Sequence, residues 1–148
     1  MINTEDDLLS LLRLCKSFHD ETTQGREELD YLKLKKIFAL AYQFPDKFYL
    51  DFKKDKDGEF VGMFVGYTQE LFYSTYLEAL ELFYYVREDH RGSPWFIKTL
   101  KRFETWAKER GATSIRLLPS SGVKSNSSVG MYERLGYDVI GHVLHKEI

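Results

Sequence analysis

Val86-Arg87-Glu88-Asp89-His90-Arg91-Gly92-Ser93-Pro94-Trp95-Phe96 carries the chain out of one kind of structure into another. Upstream, Tyr76 to Val86 is rich in aromatic and apolar residues and broken by Glu78 and Glu81, which suits a central strand covered on both faces. Downstream, Ser93 marks a helix cap and Pro94 the first helical position, while Phe96, Leu100, Phe103 and Ala107 line one face. Gly111 supplies the helix stop, and Thr113 to Leu118 reads as the next strand. Strand, helix, strand in this order implies a parallel crossover within a mixed sheet.

Towards the N-terminus, Phe48, Leu50 and Phe52 alternate with polar residues, Lys53 to Gly58 reads as a turn, and Phe60 to Tyr67 completes a hairpin. Before them lie two amphipathic helices. Thr4 caps the first, which carries Leu8, Leu11, Leu12, Cys15 and Phe18 at helical spacing; Asp30 caps the second, with Leu34, Ile37, Phe38 and Ala41 on one stripe and Pro45 as its stop. His19 to Glu28 is the polar stretch between them. Towards the C-terminus, Pro119 to Ser125 is a Ser/Gly loop, Ser127 to Leu135 a short helix ending at Gly136, and Tyr137 to Ile148 closing strand or strands. The fold class is α/β, a central mixed β-sheet flanked by helices, in a single domain over residues 1–148.

The chain has 148 residues, the size of one compact domain, and no apolar run approaching the roughly 18 residues of a membrane span. With an acidic start it is expected to be cytoplasmic, with no membrane partner. Cys15 is the only cysteine, which excludes an intramolecular disulfide and a thiolate metal cluster; His142 and His145 would point to opposite faces of a strand, so no metal is expected. A net charge of −2 argues against electrostatic nucleic-acid binding. That charge is uneven: residues 1–80 sum to −5 and 81–148 to +3, so an anionic ligand prefers the second half.

Two stretches carry chemistry. The Val86–Phe96 stretch ends a strand in a basic loop that runs into a helix N-terminus, where free N–H groups, the helix dipole, Arg87 and Arg91 attract phosphate. A capped helix with solvated arginines is the plainer reading. The second stretch is Met131-Tyr132-Glu133-Arg134-Leu135-Gly136-Tyr137, in which Tyr132 is either a functional phenol or a ring packed on the sheet.

Together the two resemble the GNAT superfamily of N-acetyltransferases, of the compact kind frequent among phage and bacterial proteins, along essentially the whole chain. Val86 matches the strand end and Arg91-Gly92-Ser93 the opening of the family's Arg/Gln-x-x-Gly-x-Gly/Ala loop; Tyr132, Gly136 and Tyr137 match its Tyr-x-x-x-Gly-Tyr/Phe segment. Gly58 to Gly62 is similar to the family's turn and third strand, and the ending His145 to Ile148 to its last strand. Where the family has Gly and then Gly or Ala, this chain has Pro94 and Phe96, which removes one N–H and adds bulk at the phosphate cradle. Ser125 occupies the place of the family's Asn, with Asn126 one later.

The resemblance implies acetyl-CoA as cosubstrate and direct attack of an acceptor amine on the thioester. Arg91, Gly92, Ser93, Pro94, Trp95, Phe96 and Asn126 would face the cofactor. A backbone N–H near Tyr84, Tyr85 or Val86 would bond the acetyl oxygen, where the family splays two strands at a bulge. Tyr132 is then the acid near the leaving sulfur, and Glu81, among Leu80, Leu82, Phe83 and Tyr84, the base. Proton transfer from a phenol near 10 to a thiolate near 8.5 is uphill by roughly 2 kcal/mol, so Tyr132 acts as a hydrogen-bond donor. A Glu81 at 4.3 would need roughly 8 kcal/mol to deprotonate a lysine, so a raised pKa or a water relay is required. The alternative for Glu81 is pairing with a basic neighbour. The rival for the whole chain is a non-catalytic protein-binding module of the same fold with a degraded cofactor loop. Single-stranded nucleic-acid binding through Phe72, Tyr73, Tyr76, Phe83, Tyr84 and Tyr85 is a third reading, opposed by the charge. Relatives often form homodimers, and only the resemblance implies this here. The acceptor has no recognisable motif.

Overall fold

The computed structural model describes residues 2–22, 28–118, 125–144 and 146, with the backbone alone for 125–128. Helices α1 (Glu5–Glu21) and α2 (Tyr31–Gln43) come first, then the strands β1 (Phe48–Lys54), β2 (Phe60–Glu70) and β3 (Leu77–Val86). A 3₁₀ turn at Glu88–His90 leads into α3 (Trp95–Glu109), followed by β4 (Ala112–Arg116) and α4 (Ser125–Arg134). The strands lie in the order β1-β2-β3-β4, antiparallel except for β3 and β4, which α3 connects as a parallel crossover. This is the mixed sheet flanked by helices that the sequence predicts.

Local chemistry sets the helix starts. The Thr4 hydroxyl accepts a hydrogen bond from the Asp7 N–H at 3.0 Å, and Asp30 Oδ1 accepts one from the Lys33 N–H at 2.9 Å. Because β2 and β3 are buried on both faces, successive residues serve two cores. Met63, Val65 and Tyr85 pack with Leu11, Leu14, Cys15 and Phe38 of the first two helices. Phe64 and Ala79 pack on the other face with Phe96, Leu100, Phe103 and Ala107 of α3 and Tyr132 of α4. Asp51 of β1 clamps α3 from below, accepting hydrogen bonds from Thr99 Oγ1 and from the Arg102 guanidinium.

Four expectations need correction. Helix α3 starts one residue late: Pro94 is its N-cap and Trp95 its first residue, because the Ser93 hydroxyl accepts from Lys53 Nζ at 2.9 Å instead of capping the helix. β4 covers Ala112–Arg116, so Leu117 and Leu118 leave the sheet. α4 begins at Ser125 and ends at Arg134. Among described residues 137–144 and 146 there is no strand: Asp138 and Gly141 interrupt the β-favouring residues, and Val139, Ile140, Val143 and Leu144 stay exposed. Residues 119–124, His145, Glu147 and Ile148 lie outside the described part. Among the described residues no helix is long and apolar enough to cross a membrane.

Candidate active site

The site is built around an irregularity in β3. Val65 faces Phe83 and Gly66 faces Glu81, so Leu82 has no opposite residue and the strand bulges there. Gly66 is required at this point, since a Cβ on it would lie 2.4 Å from Cε2 of Phe103 and 2.8 Å from its Cζ. On its other edge β3 pairs with β4 only from Leu77 to Leu80, whose partner is Arg116. From Glu81 to Val86 that edge has no partner strand among the described residues. The backbone edge of Tyr84, Tyr85 and Val86 therefore has no ladder partner among the described residues.

Glu81 stands where the strands part. It is 6% exposed, its Oε2 has no hydrogen-bond partner, and among the described residues it forms no ion pair. Pairing with a basic neighbour falls instead to Glu78, held by Arg116 at 3.0 Å. Burial raises the Glu81 pKa to about 7, against a smaller opposing pull from a backbone hydrogen bond of Leu118. The bulge puts Tyr84 on the same face of the sheet as Glu81, and aromatic rings extend from there to α4. Tyr84 stacks on Trp95 at 6.0 Å and touches Phe96 at 4.4 Å; Phe96 meets Tyr132 at 5.5 Å, and Tyr132 meets Tyr137 at 6.2 Å. Tyr132 is buried, and desolvation followed by the nearby Glu81, Tyr84 and Tyr137 charges holds its phenol well above the ordinary tyrosine value. Tyr137 is anchored by a 2.7 Å hydrogen bond to Glu104.

The loop between β3 and α3 is arranged differently. Gly92 has φ +84, a left-handed conformation that a side chain would resist, and α3 opens with no side-chain cap on its N–H groups. Arg91 turns to the α1 side of the sheet. Its Nε donates to the Val86 carbonyl at 2.9 Å, its guanidinium lies over the Tyr85 ring at 5.7 Å, and its NH2 group pairs with Glu21 at 2.5 Å. Tyr85 donates to the same Glu21 carboxylate at 2.8 Å. Arg87 is paired with Asp89 at 2.7 Å, and His90 Nδ1 lies 2.8 Å from Asp89.

Of the residues singled out in the sequence, the fold brings Glu81, Tyr84, Val86, Trp95, Phe96 and Tyr132 to one face of β3. Phe96 is turned into the core at 6% exposure, so its bulk does not fill the cradle at the head of α3. Tyr85 and Arg91 lie on the opposite face with Glu21, and Gly92, Ser93 and Pro94 lie between the two groups. Asn126 is the second residue of α4. Sequence reasoning missed Glu21, which meets Arg91 across 70 positions, and Lys53, whose Nζ reaches Ser93 and the His90 carbonyl (3.1 Å) beside the head of α3. Lys53 stands opposite Gly62 in the β1–β2 register, a relation only the folded sheet creates. Among the described residues no group of His, Cys, Asp and Glu could hold a metal ion.

The sequence model of the acetyltransferase (GNAT) family matches residues 6–137. Among curated proteins, none matches the chain. An acetyltransferase of Trypanosoma brucei superimposes with a TM-score of 0.73 at 17% identity, covering 100% of this chain and 97% of that one. A transcriptional regulator of Bacillus halodurans C-125 gives 0.75 at 19%, covering 100% and 97%. An aminoglycoside acetyltransferase from an uncultured soil metagenomic sample gives 0.65 at 21%, covering 97% and 91%. These likenesses establish a shared fold.

Proposed function

The chain belongs to the acetyltransferase (GNAT) family, and we propose that it transfers the acetyl group of acetyl-CoA to the amine of an acceptor by direct attack. One observation carries the reading: a buried carboxyl group with an unpartnered oxygen, Glu81, at the fork of β3 and β4 and within electrostatic reach of Tyr132. A pKa of about 7 is where a base serves best near neutrality. With Glu81 there, deprotonating a lysine near 10.4 costs roughly 5 kcal/mol and an α-amine near 7.7 roughly 1 kcal/mol, against roughly 8 and 4.6 for an unshifted carboxylate. Tyr132 keeps its proton and offers a hydrogen bond to charge developing on the leaving sulfur. The open edge at Tyr84 to Val86 supplies backbone donors for the acetyl oxygen, and the uncapped start of α3, with Lys53 near by, supports the pyrophosphate.

A second reading, a module of this fold that binds a protein and not the cofactor, is favoured by one observation: Arg91, the residue expected on the phosphates, is engaged by Glu21. Calorimetry with acetyl-CoA separates the two. Micromolar binding, together with a fall of about 10²-fold or more in CoA release for Tyr132→Phe, supports transfer. No heat at millimolar acetyl-CoA ends the enzymatic reading.

A further inference from the structure

Tyr132 and Tyr137 are joined by the way α4 ends. The Tyr137 N–H donates to the Tyr132 carbonyl at 3.1 Å and the Gly136 N–H to the Glu133 carbonyl at 3.0 Å, with Gly136 at φ +91. These are the two hydrogen bonds of a Schellman stop, in which the residue after the glycine packs back on the residue whose carbonyl it caps. The ring of Tyr137 accordingly meets the ring of Tyr132 edge to face at 6.2 Å. For that contact alone a phenylalanine would serve. The hydroxyl of Tyr137 does something further, donating to Glu104 of α3 at 2.7 Å. Glu104 has Lys101 and Lys108 at the helical spacings where ion pairs form, yet its short contact goes to Tyr137. Helix α3 thus holds Tyr132 from two directions. Phe96, at its head, meets the Tyr132 ring at 5.5 Å. Glu104, about two turns further along, fixes the ring behind it.

We infer that Glu104 is a positioning residue for the proposed transfer: through the hydroxyl of Tyr137 it keeps the phenol of Tyr132 in one orientation for its hydrogen bond to the leaving sulfur. This rests on the acetyl-transfer reading, in which that bond strengthens as charge develops on the sulfur. A hydrogen bond weakens steeply once its angle closes towards about 120°, and a phenol swings through an arc when its ring tilts. Releasing Tyr137 from Glu104 therefore costs rate without weakening the hold on the cofactor.

The test uses the full chain, labelled with 3-fluorotyrosine for fluorine NMR and unlabelled for the hydrolysis of acetyl-CoA to acetate and CoA, in which water replaces the amine. The Tyr132 signal is identified by its loss in Tyr132→Phe. Glu104→Ala should shift or broaden that signal and lower kcat for CoA release about ten-fold, while acetyl-CoA affinity by calorimetry stays within about two-fold. Glu104→Gln, whose amide oxygen still accepts from Tyr137, should restore both signal and rate. On a Tyr132→Phe background Glu104→Ala should cost nothing more, since there is no phenol left to position. If Glu104→Ala does not fold, Tyr137→Phe removes the same hydrogen bond and keeps the ring. An equal loss with and without the Tyr132 phenol, Glu104→Gln falling as far as Glu104→Ala, or a Tyr132 signal that does not move overturns the positioning role while transfer stands. No acetyl-CoA binding and no CoA release overturn the reading beneath it, and the fluorine signal, which needs no substrate, still decides the positioning.

Discussion

Glu81 is buried without a partner for one oxygen, and its energetics follow from that. An unfolded glutamate releases its proton near 4.5, whereas the folded one holds it to about 7. Between those values the unfolded chain binds fewer protons, so the stability that this carboxyl contributes is full below 4.5 and is lost as pH rises through 7. The loss amounts to roughly 3 kcal/mol. Glu81→Gln has no charge to lose, and its melting temperature should lack the decline that the wild type shows between about pH 5 and pH 8; identical slopes would mean that the carboxyl is solvated. In the proposed reaction the same ionisation switches the base on, so kcat/KM should climb through about pH 7 in the wild type, and the variant should lose about 10²-fold with no such limb. At this scale the sequence was legible where residue type and neighbours decide the place: an acid within an apolar strand and a tyrosine ahead of a helix stop are both buried. It placed Arg91 on the phosphates without foreseeing its pairing with Glu21, because the side chain that holds it comes from the far end of α1.

Elements were read best where their own residues write the boundary. Thr4, Asp30 and Pro45 act within a turn of themselves, and the helices they delimit appear where predicted. β3 shows the opposite. Its composition describes one unbroken strand, whereas the bulge at Leu82 exists only because of which residue of β2 stands opposite, and the fork exists because β4 stops at Arg116. The closing strands failed for a related reason, since apolar pairs without a ladder to join remain exposed chain. The bulge and α3 are locked together by the contact of Phe103 with Gly66. Gly66→Ala should therefore cost about 1–3 kcal/mol in urea unfolding, and Phe103→Leu in the same chain should recover part of it; an unchanged midpoint would mean that the ring sits further from the strand.

For the whole molecule, two cores divided by one sheet put Tyr132 and the head of α3 on one side and the first two helices on the other. Tyr85, Glu21 and Arg91 connect the last turn of α1 to the loop that opens α3. If Glu21 holds Arg91 away from phosphate, Glu21→Gln should tighten acetyl-CoA binding about three- to ten-fold by calorimetry, whereas weaker binding would make Glu21 a support of the loop. The link also has a kinetic consequence. A thioester that draws Arg91 from Glu21 alters the end of α1 and the α1 side of the sheet, so an amine that enters from that side meets its final form only after the nucleotide is bound. Steady-state turnover should follow a compulsory order with the nucleotide leading: free CoA, as product inhibitor, competes against acetyl-CoA and acts non-competitively against the amine.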